Sequence, residues 1–133
     1  MTLPDLFSAD GIDAWRARLD ASPHFAHAAA GWSGTLVLVE NADGRASRRT
    51  WIEVDNGRCV VARPAVDADA TSAEFVLAAA PDVWQDLVGA RVSPAMAAMT
   101  GRLKLLQGDL MRLVPHAKAA AALLAAAAHG EPI

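Results

Sequence analysis

The sequence predicts an α+β fold in which five strands share one sheet, with helices before, between and after them. The middle of the chain strings β-rich runs between turn signals, in the manner of a meander. Both ends carry helical periodicity, and a glycine-bounded strand (Arg102 to Gln107) follows a helical segment late in the chain. The 133 residues fit one domain over 1–133, and a 53% hydrophobic content suffices for a core.

Each element has its own signal. Ile12, Trp15 and Leu19 recur at helical spacing while Asp13, Arg16 and Asp20 turn outward, which predicts the first helix. Ser22-Pro23 breaks it, and Pro23 suits the first position of a second, short helix through His24 to Ala30, ended by Gly31. Thr35 to Glu40 is a continuous run of β-branched residues and leucine, suited to a central strand covered on both faces. Asn41-Ala42-Asp43-Gly44 supplies a turn. Ser47 to Asp55 follows, with Thr50, Ile52 and Val54 on one face and Trp51, Glu53 and Asp55 on the other. Asn56-Gly57 is a strong hairpin signal, because a type I′ turn needs positive φ at both central positions. Arg58 to Arg63 is the third strand, stopped by Pro64, and Ala73 to Leu77 the fourth, after a loop through Asp69. Pro81 to Val88 reads as a short helix, apolar at Val83, Trp84, Leu87 and Val88.

The stretch from Pro94 to Met111 is the most informative. Gly101 ends a methionine-containing turn, since only glycine enters left-handed backbone regions without penalty. In the adjoining strand, Leu103 and Leu105 share one face, Arg102 and Lys104 the other. Gly108-Asp109 closes the strand and opens a helix, for which Asp109 is a good N-cap. After Val114 a last helix starts at Pro115 and runs through an alanine tract to about His129, where Gly130 ends it.

Composition narrows the function. A formal charge of −3 argues against nucleic acid as the partner, since phosphate binding needs a surplus of Lys and Arg on one face. The single cysteine, Cys59, cannot form an internal disulfide and suits a small buried filler. No secretory signal opens the chain, and the apolar block Ala119 to Ala128 is too short for a bilayer, which needs about 20 apolar residues. A cytoplasmic protein is the plain expectation. His24-x-x-His27 offers two imidazoles without a third ligand, so no metal site is expected. Arg45, Arg48, Arg49 and Arg63 suit either the attraction of an anionic surface or strand-edge charges that oppose aggregation. There is no Gly-x-Ser-x-Gly elbow, phosphate-cradling loop or His-Glu-x-x-His, so no enzyme and no cofactor are expected.

The segment Thr100 to Met111 resembles the C-terminal signature of the sterol-carrier-protein type 2 family, in which a Gly-basic-Leu-Lys-apolar-x-Gly-polar strand leads into a cavity-lining helix. The resemblance extends over roughly residues 7 to 128. Arg49 to Val54 with Asn56-Gly57 is similar to the family's Trp-containing strand and its glycine turn. Ala73 to Leu77, leading to the helix with Trp84, Leu87, Val88 and Gly89, matches as well. Departures are the Ala-Asp pair, here at Ala68-Asp69 well before the strand, Met96 and Met99 in place of the family's usual phenylalanine, and the nearly pure alanine terminal helix.

The resemblance implies a single five-stranded mixed sheet covered on one face by helices, with an apolar cavity, a tunnel, between them. Its expected lining is Trp84, Leu87, Val88, Met96, Met99, Leu103, Leu105, Leu110, Met111, Leu113, Leu123 and Leu124, each of which also suits a packed core. The implied function is binding or transfer of an apolar ligand, such as a fatty acyl chain, a sterol or a similar lipid. The alternative is a non-catalytic accessory or dimerisation module with the same fold and a filled cavity. A transient membrane-surface contact and a homodimer stay open, as does the terminal helix acting as lid or as fixed wall.

Overall fold

Local capping starts the N-terminal helices where the sequence places them. Ser8 and Ser22 accept from the backbone N–H groups of Gly11 and Phe25, opening α1 (Ala9–Asp20) and α2 (Pro23–Ala28). The computed structural model describes residues 6–41, 48–66, 68–89 and 91–127, the side chains of Ala70 and Leu110 excepted. Ala42, Asp43 and Gly44 of the expected turn, Arg45, and the expected helix end at His129 and Gly130 lie outside the described residues.

Five strands follow the predicted pattern: β1 (Gly34–Glu40), β2 (Arg48–Asp55), β3 (Arg58–Pro64), β4 (Phe75–Ala79) and β5 (Lys104–Gln107). They form one mixed sheet in the order β3-β2-β1-β4-β5, parallel only between β1 and β4. Asn56 and Gly57 take φ of 49° and 80°, the positive values that the β2–β3 hairpin requires. A bulge between Glu53 and Val54 leaves Val60 unpaired, which allows Cys59 and Ala62 both to face the core. Burial pushes the Cys59 thiol up to about 11, so it stays protonated near neutral pH and serves as apolar filler.

One sheet face carries Leu36, Leu38, Ile52, Val54, Phe75 and Leu77, all buried in the main core beneath the helices. On the other face Val37, Val39, Trp51, Val76 and Ala78 form a second buried cluster. That face is closed by the β3–β4 crossover, which contains α3 (Asp69–Ser72) and packs Ala65 and Ala73 onto it. Arg63, held by Asp69 at 2.8 and 3.1 Å, lays its guanidinium 5.2 Å from the Trp51 ring centroid. The double covering explains why β1 reads as an unbroken apolar run.

The departures from the sequence boundaries have tertiary causes. Strand β4 begins at Phe75 rather than Ala73 because Ala73 terminates α3 and the Glu74 N–H donates to Thr35 Oγ1 at 2.9 Å. Strand β5 begins at Lys104 rather than Arg102. The N–H groups of Arg102 and Leu103 both donate to the Ala97 carbonyl, closing the helix α5 (Pro94–Met99) that precedes them. Helix α4 (Pro81–Val88) matches its prediction, and its Trp84 indole N–H donates to the Val39 carbonyl at 2.9 Å. The terminal helix does not start at Pro115: α6 (Leu110–Leu113) runs into a 3-10 turn (Val114–His116), and α7 is Ala117–Ala125. The other end of α7 is tied to α1. The Trp15 indole N–H donates to the Leu123 carbonyl at 2.8 Å, and the Arg18 guanidinium to that of Ala127.

Two experiments test these constraints. Gly108 has φ of 105°, and a Cβ there would lie 2.6 Å from both the Glu74 oxygen and Phe75 Cδ1. Gly101 has φ of 78° with open space around it. Gly101→Ala is therefore expected to cost about 1 kcal/mol in urea unfolding and Gly108→Ala about 3 kcal/mol or more. Equal losses at the two positions would contradict the packing at Gly108. Trp15→Phe leaves the buried Leu123 carbonyl without its donor and is expected to cost about 2 kcal/mol, with faster amide exchange in α7.

Candidate functional site

Between the helical layer and the sheet lies a cavity of about 80 Å³. Its floor is Leu36 and Leu38 of β1, Leu77 of β4 and Leu103 and Leu105 at β5. Trp84 of α4 closes one side, and Ala120, Leu123 and Leu124 of α7 form the roof. The remaining wall is thin: Pro94, Ala95 and Ala98 of α5 face Leu113, Val114 and Ala117 across the mouth. Ala95 is exposed and Val114 is 54% exposed while lining the cavity, so the opening lies between α5 and the 3-10 turn.

These elements differ in how firmly they are held. Helix α7 buries Ala119, Ala120, Ala122, Leu123 and Leu124 besides its two carbonyl ties to α1. Helix α5 buries only Ala97, its start fixed by Pro94 and by Ser93, whose hydroxyl accepts from the Met96 N–H. The 3-10 turn buries none of its residues, though His116 stacks on Trp32 at 5.3 Å. The mouth is thus bordered by the least buried part of the helical layer.

The wall is chemically uniform. Every lining residue is apolar, and the one side-chain N–H among them, the Trp84 indole, is spent on Val39. No buried side-chain N or O atom among the described residues lacks a partner. The cavity can therefore hold an apolar body by burial, and it presents no nucleophile, acid or base to it. Charge stays outside. Arg102 and Arg91 each approach Asp86 at 2.8 Å and hold its carboxyl below the usual carboxylate range. His24 and His27 are exposed, and no group of three His, Cys, Asp or Glu among the described residues could hold a metal ion.

Of the lining residues named from the sequence, the structure brings Trp84, Leu103, Leu105, Leu113, Leu123 and Leu124 to the cavity. Leu87 and Val88 pack in the core behind it. Met96, Met99 and Met111 are 50%, 81% and 74% exposed and do not line it, and the Leu110 side chain lies outside the described residues. Sequence reasoning missed Leu36, Leu38 and Leu77, whose strand pattern signals sheet core and says nothing of a gap above it. It also missed Pro94 and the alanines, whose small side chains leave the space open.

The arrangement is similar to known structures. A crystal structure of sterol carrier protein 2 superposes with a TM-score of 0.80 at 28% identity, over 92% of this chain and 97% of that one. A conserved hypothetical protein from Thermus thermophilus, possibly a sterol carrier protein, superposes with a TM-score of 0.82 at 26% identity, over 100% and 94%. Palmitated SCP2L2 from Aedes aegypti shares the fold, with a TM-score of 0.60 at 14% identity over 83% and 90%. No curated protein is similar to the sequence at a significant level. Residues 13–119 match the SCP-2 sterol transfer family over most of the chain's length, and the chain belongs to that family.

Proposed function

We propose that this protein binds and transfers a lipid, holding its apolar part by burial in the cavity without covalent chemistry. The uniformly apolar wall, its one N–H already engaged by Val39, carries this reading. The family match and the likeness to a sterol carrier protein support it, as does a palmitated relative of the same fold. Burying apolar surface contributes about 25 cal/mol per Å², so roughly 300 Å² supplies about 7 kcal/mol before the cost of ordering the ligand, the scale of micromolar binding.

Size dictates how a ligand enters. The 80 Å³ present is well below the roughly 300–1,000 Å³ that encloses a drug-sized ligand, so a long acyl chain requires the wall to move. The moving part is α5 together with the 3-10 turn. Helix α7, pinned by Trp15 and its buried leucines, is the fixed roof. The same small volume favours a second reading, an accessory module of this fold with a filled cavity.

Native mass spectrometry of the protein from its expression host separates the two. Retained lipid of one chemical class supports the first reading, and a chain that stays empty and takes up no fluorescent fatty acid supports the second. On the first reading Ala120→Leu, which extends the roof into the void, is expected to lower fatty acid affinity about tenfold with stability changed by less than about 1.5 kcal/mol. Hydrogen exchange provides an independent check. Residues 94–99 should exchange faster than 119–125 in the free protein and gain the most protection when lipid binds. Equal protection of the two segments in the free protein would remove α5 as the gate.

A further inference from the structure

Four of the exposed large apolar side chains of this protein lie around the cavity mouth, together with a surplus of basic ones. Of the seven large hydrophobic residues exposed among the described residues, five fall between residues 94 and 114. Met99 and Met96 are on α5, Met111 is on α6, and Val114 stands in the mouth itself. Leu106, on β5, is set apart, because its strand neighbour Leu105 is the one that faces the cavity.

Charge follows the same division. The stretch 91–118 holds five basic residues, Arg91, Arg102, Lys104, Arg112 and Lys118, and one acid, Asp109, a formal +4 that leaves −7 for the rest of the chain. Two acids from other elements face it: Asp86 pairs with Arg91 and Arg102, and Glu74 lies 3.6 Å from Arg112. Lys104 shares the outward side of β5 with Leu106, so with both acids counted the mouth itself carries +1 against −4 for the rest of the chain. Its cations also stand further into solvent. The side chains of Arg91 and Arg112 are 61% and 68% exposed, those of Asp86 and Glu74 29% and 34%. Lys118 makes no ion pair among the described residues and extends from the first turn of α7, beside the mouth.

We propose that the face built from α5, α6 and the start of α7 docks onto an anionic lipid surface, with Met99, Met111 and Val114 entering the acyl boundary and Arg112 and Lys118 meeting headgroup phosphates. Apolar side chains ringed by cations suit such a surface, where about 1 kcal/mol per basic residue adds to apolar burial. A second copy of the chain fits less well. A two-fold interface sets the same patch against itself and would bring two positive faces together. The proposal rests on the cavity being a lipid site, since docking mouth-down joins the cavity to the bilayer interior and spares the ligand a passage through water.

Cosedimentation of the full chain with vesicles of phosphatidylcholine, alone or mixed with phosphatidylserine, tests it. The wild type should bind the anionic vesicles, lose binding as salt rises, and bind the neutral ones weakly. Arg112→Gln with Lys118→Gln should weaken binding about thirtyfold. Met99→Ser with Met111→Ser, both at exposed positions, should weaken it at least as much. Arg58→Gln, an exposed cation on β3 at the opposite edge of the sheet, should change it by less than about twofold. Equal binding to both vesicle types would overturn the proposal. So would an effect of Arg58→Gln as large as that of the Arg112 and Lys118 pair, or the methionine variant binding like the wild type. Self-association lost in the methionine variant, without vesicle binding, would assign the face to a second copy instead. A chain that loads lipid from solution yet ignores vesicles refutes the docking alone. One that docks while its cavity stays empty in native mass spectrometry refutes the lipid site.

Discussion

The cavity depends on how the far end of its roof is anchored, where the Trp15 indole donates to the Leu123 carbonyl. Helix α7 is almost all alanine, a composition with strong helix propensity but little area to bury per residue. Such a helix is a poor judge of its own position. Its location is set by Leu123 and Leu124 and by donors from α1 that satisfy carbonyls in and just past its last turn, groups without intrahelical partners. Once that end is held, the methyl groups of Ala117 and Ala120 are too short to reach Leu36, Leu38 and Leu77 below, and the space between stays open.

The floor is buried as thoroughly as the roof. Strand β1 lies in the centre of the sheet, antiparallel to β2 and parallel to β4, and is buried on both faces. The parallel pairing demands a crossover, and the β3–β4 connection supplies it on the face away from the cavity, locked by Arg63, Asp69 and Trp51. The least buried elements around the cavity are α5 and the 3-10 turn. The first buries one residue and the second none, so displacing either sacrifices little apolar burial.

Much of this was legible wherever the physics is local. Asn56-Gly57 fixes a hairpin through its own φ preferences, and Ser22-Pro23 breaks and restarts a helix through capping and the proline ring. The starts of β4, β5 and α7 were not legible, because each is set by a remote partner such as Thr35 Oγ1 or by a competing turn such as that at Ala97. The site divides in the same way. Leucines at helical or strand spacing, such as Leu103, Leu105 and Leu123, reach the cavity because that periodicity identifies an inward face. Met96 and Met99 do not, because a six-residue helix is too short for its apolar count to say which side is inward, and the small Ala97 takes the buried position. A void is the hardest feature to read, since it is made by atoms that are missing, and alanine carries no signal that distinguishes close packing from space.

The absence of polar groups from the cavity wall bears on what the proposed ligand can be recognised by. A site built to hydrogen-bond a headgroup rejects analogues lacking it by leaving its own polar atoms unpaired, which produces large discrimination. A wall of leucine, alanine and an already satisfied indole has nothing to leave unpaired. On the proposed reading, discrimination comes from length and cross-section alone, about 1–3 kcal/mol per methylene added or lost, and the headgroup stays at the mouth in contact with water. Such a site suits a carrier. Affinity graded by buried length and insensitive to the headgroup lets one cavity accept a range of apolar ligands, and the weakly buried α5 allows the fit to adjust to each.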